Sequence, residues 1–164
     1  KRLHPEASDW QLAVMDAVYR WQFMESNDTP MQAFEGAEDL LRELKQQGKY
    51  LAIATGKSRR GLDLVLEETQ FGHYFDVTKS AEETRSKPDP LMLQEILAEL
   101  NIPVSQTLMV GDAIFDLEMA QNIGMDAVAI THGVHNKADL EPYHPIAFCD
   151  DLIQLKRWLT TTES

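Results

Sequence analysis

The sequence predicts an α/β fold, a doubly wound parallel sheet with helices on both faces, and two patterns support that prediction. Residues 50–54, 107–110 and 127–130 are short apolar runs without polar alternation, typical of parallel strands buried on both faces. Longer segments with apolar residues at helical spacing lie between them. Strands and helices that take turns along a chain in this way are typical of a doubly wound sheet.

The elements predicted after residue 30 follow this alternating order. Leu40, Leu41 and Leu44 lie on one face of the first helix, and Gly48 is placed to end it. In chain order we predict a helix at 37–47, a strand at 50–54, a helix at 59–69, a strand at 75–78, a helix at 90–100, a strand at 107–110, a helix at 115–123, a strand at 127–130 and a helix at 152–159.

The N-terminal segment has a different pattern. Apolar residues between positions 9 and 24 recur at helical spacing on more than one side, which predicts a covered helix. Residues 27–30, with the sequence Asn-Asp-Thr-Pro, then form a turn-rich break. We therefore expect an N-terminal helical part at 1–29 and a main domain at 30–164.

Composition narrows the class of partner. The 164 residues are 43% hydrophobic and 26% charged, and 15 Lys and Arg against 27 Asp and Glu give a net charge of -12. So acidic a chain is unsuited to a nucleic acid backbone, and we expect a small molecule instead. No apolar run approaches the roughly 20 residues needed to cross a bilayer. Cys149, the single cysteine, excludes an intrachain disulfide and fits a reducing cytoplasm as a small core residue.

The first polar cluster, Ala54-Thr55-Gly56-Lys57-Ser58, stands where a strand should end and a helix begin. In an open α/β sheet, ligands bind at that edge. Thr55 can donate a hydroxyl hydrogen bond, Gly56 allows close backbone approach, and the helix start offers amides to an anion. By itself, the cluster is also the pattern of an ordinary capped turn.

The second cluster is Ser86-Lys87-Pro88-Asp89-Pro90. Its prolines fix the backbone and start the next helix, so Lys87 is held by a rigid loop. A lone loop lysine is otherwise usually solvated.

The third cluster, Gly111-Asp112-Ala113-Ile114-Phe115-Asp116, follows an apolar strand. Asp112 and Asp116, four residues apart, place two hard oxygen ligands on one side of a pocket, which suits Mg²⁺. The two acids could equally well favour a helix N-terminus without any metal.

Taken together, the order and spacing of these clusters resemble the haloacid dehalogenase superfamily, within it the phosphoglycolate-phosphatase-like branch with a helical cap. Thr55 matches the second motif of the family, Lys87 the third, and Gly111-Asp112 with Asp116 the fourth. The resemblance covers about 34–159 and implies a Rossmann-like core, with part of the cap in the helix at 9–24.

The resemblance implies a reaction in which an aspartate attacks phosphorus and water hydrolyses the aspartyl-phosphate. Thr55 and the Gly56 amide would then bind a phosphoryl oxygen, and Lys87 would neutralise charge. Asp112 would ligate Mg²⁺, with Asp116 ligating or orienting.

Three cations at the start of the helix after Thr55 could add to this site. Lys57 is a candidate substrate-binding residue, whereas Arg59 and Arg60 are better explained as solvated surface residues.

The first motif of the family, Asp-x-Asp at the end of a central strand, supplies the nucleophile and is not found. No two aspartates stand two apart, and Asp16 is rejected because it lies within the helical pattern and lacks a second acid. We therefore expect a core that lacks its first strand, completed by a preceding segment or by a second chain, and inactive in this form.

Three alternatives to a phosphatase remain. A non-catalytic phosphate- or protein-binding module would have no need for Thr55, Lys87 and Asp112 together. A dehalogenase displaces halide without Mg²⁺ and is disfavoured, whereas a phosphomutase shares these motifs. The sequence does not indicate which phosphorylated metabolite is the substrate.

Overall fold

In this computed structural model of the protein, residues 10–15, 30–85, 87–131 and 136–161 are described. They contain six strands, all paired in parallel in the order β3-β2-β1-β4-β5-β6. The strands are β1 (Leu12–Met15), β2 (Tyr50–Thr55), β3 (Val77–Ser80), β4 (Thr107–Gly111), β5 (Asp126–Ile130) and β6 (Ala147–Cys149). The α-helices are α1 (Pro30–Gln46), α2 (Arg59–Thr69), α3 (Leu91–Leu100), α4 (Ile114–Gln121), α5 (Lys137–Leu140) and α6 (Leu152–Thr161). The predicted doubly wound parallel α/β fold is confirmed.

Helices cover both faces of the sheet. On one face, α1 and α6 pack their leucines against β1, β2, β4 and β5, and Leu62 of α2 contacts Ile53. On the other, α3, α4 and α5 bury a second apolar cluster that includes Met92, Leu117 and Leu140. Because both faces are covered, the central strands carry apolar residues at nearly every position, as parallel strands do.

The N-terminal segment differs from its prediction. Leu12–Met15 is a strand and not a helix, and it lies between β2 and β4, in the middle of the sheet. The predictions of a helix across these residues and of a core without its first strand are therefore wrong here. All four residues are buried, and a short run that is apolar on every side does not by itself distinguish a buried strand from a buried helix. The remainder of the predicted helix, at 16–24, lies outside the described residues.

The position of β1 has a clear energetic reason. Met15 pairs with Ile53 on one side and with Val110 on the other, so both neighbouring strands keep their hydrogen-bonding ladders. Each buried backbone group left without a partner would cost about 1 to 3 kcal/mol. β1 therefore fills the position between β2 and β4.

The other predicted elements are present, most of them within about two residues of their predicted bounds, but α1 begins at Pro30 and not at residue 37. The structure also has two additions. α2 begins and ends as predicted: the Ser58 hydroxyl accepts a hydrogen bond from the Gly61 amide at 3.0 Å, and Gln70 ends the helix in a left-handed conformation. The additions are α5, begun by a capping box between Asn136 and Asp139, and the short edge strand β6. Three residues at a sheet edge are too short a run to show periodicity.

Cys149 is buried at the end of β6. Burial raises the pKa of its thiol to about 11, so it is protonated at neutral pH and packs as a small core residue, as expected. Among the described residues, no helix combines the length and the apolar character that crossing a bilayer requires.

The central position of β1 predicts that Val14 contributes strongly to stability. Val14 is fully buried in the cluster under α3 and α4, so Val14→Ala should lower the free energy of unfolding by about 2 kcal/mol in urea denaturation. Leu64→Ala is the matched control, because Leu64 is 52% exposed and should change stability by less than about 0.5 kcal/mol. Equal effects of the two substitutions would contradict a central β1.

Candidate active site

The carboxyl ends of the parallel strands meet at one edge of the sheet, and the candidate residues lie there. Thr55 ends β2 and Asp112 directly follows β4. Met15 pairs with both Ile53 and Val110, and Thr55 and Asp112 each stand two residues beyond those partners. They therefore lie at the same level on the two strands that flank β1. Two strand spacings place their backbones about 10 Å apart, a gap that two side chains and a small ion can bridge.

Lys87 reaches this edge from the loop that follows β3. Its Nζ donates to Asp116 Oδ1 at 2.5 Å, and its side chain is only 9% exposed. The loop is fixed just after the lysine: Asn122 donates to the Pro88 carbonyl at 3.2 Å, and the Leu91 amide donates to Asp89 at 3.0 Å. The peptide between Lys87 and Pro88 is cis. The prediction that a rigid loop holds this lysine agrees with the geometry.

Asp112 and Asp116 are both fully buried. Burying a carboxylate is costly unless a cation or hydrogen bonds compensate it, and Lys87 provides such a cation for Asp116. Asp116 thus holds the lysine in place, and its expected role at a metal site stays a prediction.

The donor chemistry of this edge is compatible with Mg²⁺. Within the described ranges, no three His, Cys, Asp or Glu side chains form a group that could hold a metal ion. Mg²⁺ commonly binds through only one or two carboxylates, with water and substrate phosphate completing its octahedron. Asp112, and secondarily Asp116, would meet that requirement.

Gly111 makes room for Asp116. A Cβ at position 111 would lie 2.4 Å from the Asp116 Cβ and 2.8 Å from its Oδ2, closer than real side chains come. The last residue of β4 must therefore lack a side chain for the Lys87 and Asp116 pair to form. In the sequence, Gly111 is only the residue that precedes Asp112. Its close approach to Asp116 could not be predicted, because it depends on where α4 begins.

The loop after β2 presents the remaining predicted residues. Thr55 is buried, and its Oγ1 accepts a hydrogen bond from the Lys57 amide at 3.2 Å. Gly56 and Lys57 are exposed at the start of α2. Backbone amides near a helix start can bind an anion here, beside the Thr55 hydroxyl.

Arg59 and Arg60, expected to be solvated, differ from each other. Arg60 is exposed. The Arg59 guanidinium instead donates to Glu83, Thr78 and Asp63, and this neighbouring negative charge raises its pKa. The sequence could not show the contacts with Thr78 and Glu83, because they join α2 to β3 and to the turn that follows it, whereas Asp63 lies four residues along the same helix.

Asp16 lies outside the described residues but directly follows β1. One reason for rejecting it, a helix running through Leu12–Met15, does not hold in this structure. The other reason remains, because Val18 stands where the family has its second acid.

The close approach of Gly111 and Asp116 predicts that position 111 does not tolerate a side chain. Gly111→Ala should displace Asp116 from Lys87 and lower the free energy of unfolding by about 1 to 3 kcal/mol, measured by urea denaturation. Gly36→Ala, in α1 with no atom within 4 Å of the added methyl, should instead be neutral or stabilising by up to about 1 kcal/mol. If Gly111→Ala lowers the free energy of unfolding no more than this control does, the close packing of Gly111 against Asp116 is not required for stability.

Comparison with known proteins adds to this geometry. The sequence profile of haloacid dehalogenase-like hydrolases matches residues 4–130. Pyrophosphatase PpaX from Bacillus mycoides is 32% identical over 142 residues, which cover 86% of this chain and 66% of that protein. PpaX from a Bacillus cereus strain is 30% identical over the same length. The chain thus spans slightly less than two thirds of the length of these curated relatives.

Solved structures show the same fold. A candidate phosphoglycolate phosphatase from Lactobacillus delbrueckii is 28% identical, with a TM-score of 0.70 over 77% of this chain and 53% of that one. A candidate β-phosphoglucomutase from Thermotoga maritima, 16% identical, superposes with a TM-score of 0.76 over 93% of this chain and 99% of that one. The second likeness concerns the fold alone. Since the family profile covers most of the sequence, this chain belongs to the haloacid dehalogenase-like hydrolases.

Proposed function

We propose that the protein containing this chain is a Mg²⁺-dependent phosphomonoester hydrolase that acts on a small phosphorylated metabolite through an aspartyl-phosphate. The observation that carries the proposal is the buried Lys87 and Asp116 pair, at the same sheet edge as Asp112 and Thr55. A binding module freed from chemistry would have no reason to bury two carboxylates and a lysine together, because burial of charge is costly. Membership of a hydrolase family and relatives named as phosphatases support it.

Each residue has a defined task in this proposal. The Thr55 hydroxyl and the Gly56 amide would bind a phosphoryl oxygen, and exposed Lys57 would contact the substrate. Lys87 would balance the charge of the nucleophile and the phosphoryl group, held in place by Asp116.

Asp112 would hold the metal ion, with Asp116 beside it. When bound, Mg²⁺ would offset negative charge on the phosphoryl oxygens.

The nucleophile would be an aspartate at the carboxyl end of a central strand. Its carboxylate oxygen forms a bond to phosphorus while the bond from phosphorus to the leaving-group oxygen breaks, and that oxygen takes a proton from solvent to become the alcohol. Water then attacks the same phosphorus, the bond from phosphorus to the carboxylate oxygen breaks and a proton returns to solvent, which leaves inorganic phosphate and the free carboxylate.

We propose that this aspartate comes from a strand outside these 164 residues, because no Asp-x-Asp occurs within them. Asp16 is the competing candidate, because it directly follows β1.

A second substrate class has support in the relatives. Two proteins at 30 to 32% identity are named pyrophosphatase, so a phosphoanhydride could replace the ester with the same attack on phosphorus. Both substrate classes therefore belong in the assay. The single buried cysteine is compatible with a cytoplasmic location, which remains part of the proposal.

The assay compares this polypeptide with a version extended by the preceding coding residues, on p-nitrophenyl phosphate and on pyrophosphate with Mg²⁺. We expect phosphate release only from the extended version, since it alone would carry the nucleophile. Equal turnover by both, abolished by Asp16→Asn, would assign the nucleophile to Asp16 instead. Absence of turnover by both on either substrate would argue against a phosphatase.

A substitution tests the metal role of Asp112. In the active version, Asp112→Asn should lower Mg²⁺-dependent kcat by at least about a thousandfold, because it removes one charge from the metal site. Asp126→Asn is the control, because Asp126 begins β5 at the opposite edge of the sheet and should leave kcat unchanged. Retention of activity by Asp112→Asn would remove Asp112 from the metal site.

A further inference from the structure

Arg59 occupies a junction between two loops of the candidate site. It is the first residue of α2, four residues after Thr55, and so belongs to the loop that would bind phosphate. Its side chain points across to β3 and to the turn at 81–83, which leads to Lys87. Arg59 therefore belongs to one proposed phosphate-binding loop and contacts the segment that precedes Lys87 in the other.

The contacts of Arg59 are numerous and directional. Its guanidinium donates to both Glu83 carboxylate oxygens at 2.7 and 3.2 Å. It also donates to the Thr78 carbonyl at 2.8 Å, to the Thr78 hydroxyl at 2.9 Å and to Asp63 at 3.1 Å. The Arg59 backbone amide donates to Glu82 at 2.5 Å. We call Arg59, Asp63, Thr78, Glu82 and Glu83 the Arg59 network.

The network also orders the turn itself. Glu83 accepts a hydrogen bond from the Ser80 amide at 3.1 Å, so it links the end of β3 to Arg59. The hydrogen bonds from Arg59 lower the pKa of Glu83 to about 2, which keeps this carboxylate charged throughout the neutral range. A single exposed ion pair contributes little to stability, but a planar guanidinium with several fixed acceptors defines a geometry.

We propose that Arg59 is a positioning residue for Lys87. The Arg59 network fixes the chain at Glu83, four residues before Lys87, and the contacts of Asn122 with Pro88 fix it just beyond the lysine. With both ends held, Lys87 is kept against Asp116 and within reach of the loop that contains Thr55. Any consequence for turnover rests on the proposed function, whereas the structural role of Arg59 does not.

A double-mutant cycle tests whether Arg59 acts through Lys87. In the version that turns over phosphate, Arg59→Met should lower kcat/KM about tenfold with Lys87 present and less than about twofold in a Lys87→Met background. The kcat/KM of Arg59→Lys should lie between the values of the wild type and Arg59→Met. The lysine ammonium keeps the charge but cannot reproduce the planar set of guanidinium donors. Equal losses in both backgrounds would mean that Arg59 serves folding alone and would overturn the proposal.

Lys79→Met is the matched control. Lys79 lies on the same strand, β3, and pairs with Glu95 and Glu99 of α3 on the other side. Its loss removes a partly buried cation without touching the Arg59 network. We expect kcat/KM to change less than about twofold in this variant.

Hydrogen exchange provides a readout that does not depend on activity. In the 164-residue polypeptide, Arg59→Met should speed amide exchange of residues 80–87 at least about fivefold, whereas Lys79→Met should not. Unchanged exchange in Arg59→Met would overturn the inference, whatever the assays show. If no version hydrolyses phosphate but exchange rises as expected, the proposed function fails and the structural role of Arg59 stands.

Discussion

The buried pair of Lys87 and Asp116 is the interaction on which the arrangement of this edge depends. It joins the loop after β3 to the first turn of α4, two segments separated by 29 positions in sequence. The pair forms only because Gly111 has no side chain, since a methyl group there would overlap Asp116. Burial makes the Asp116 charge costly, and the Lys87 ammonium compensates it. Their contact fixes the position of the lysine relative to Asp112.

The sheet supplies the common level at which these groups meet. β1 lies between β2 and β4 and sets their relative register, so Thr55 and Asp112 project from equivalent heights. Parallel strands deliver their loops to one edge, and each loop here brings a different chemical group: a hydroxyl, a carboxylate and a lysine. The Arg59 network adds a lateral link between two of these loops. These side chains are in this way positioned by contacts with neighbouring loops as well as by their own strands.

Residues 12–15 illustrate how one segment can satisfy two patterns. Their apolar character is compatible with a helix at the spacing seen over 9–24, yet in this structure they form the central strand. β2 and β4 each offer a row of backbone hydrogen-bonding groups to this segment. Pairing those buried groups outweighs the local preference of the segment for a helix.

The sequence by itself determined the alternating α/β order, the bounds of α2 and the three polar clusters at strand ends. These features follow from local causes: apolar runs, capping residues such as Ser58, and the prolines around Lys87. Even the superfamily could be inferred, because the order and spacing of its motifs are properties of the chain.

Tertiary structure alone decided the features that depend on distant partners. The strand at β1, the edge strand β6, the packing of Gly111 against Asp116 and the contacts of Arg59 were not predictable from sequence. Each arises where residues far apart in the chain become neighbours. Whether an apolar run becomes a strand, or an arginine binds a carboxylate instead of water, depends on what lies across from it, and that is fixed only when the sheet has formed.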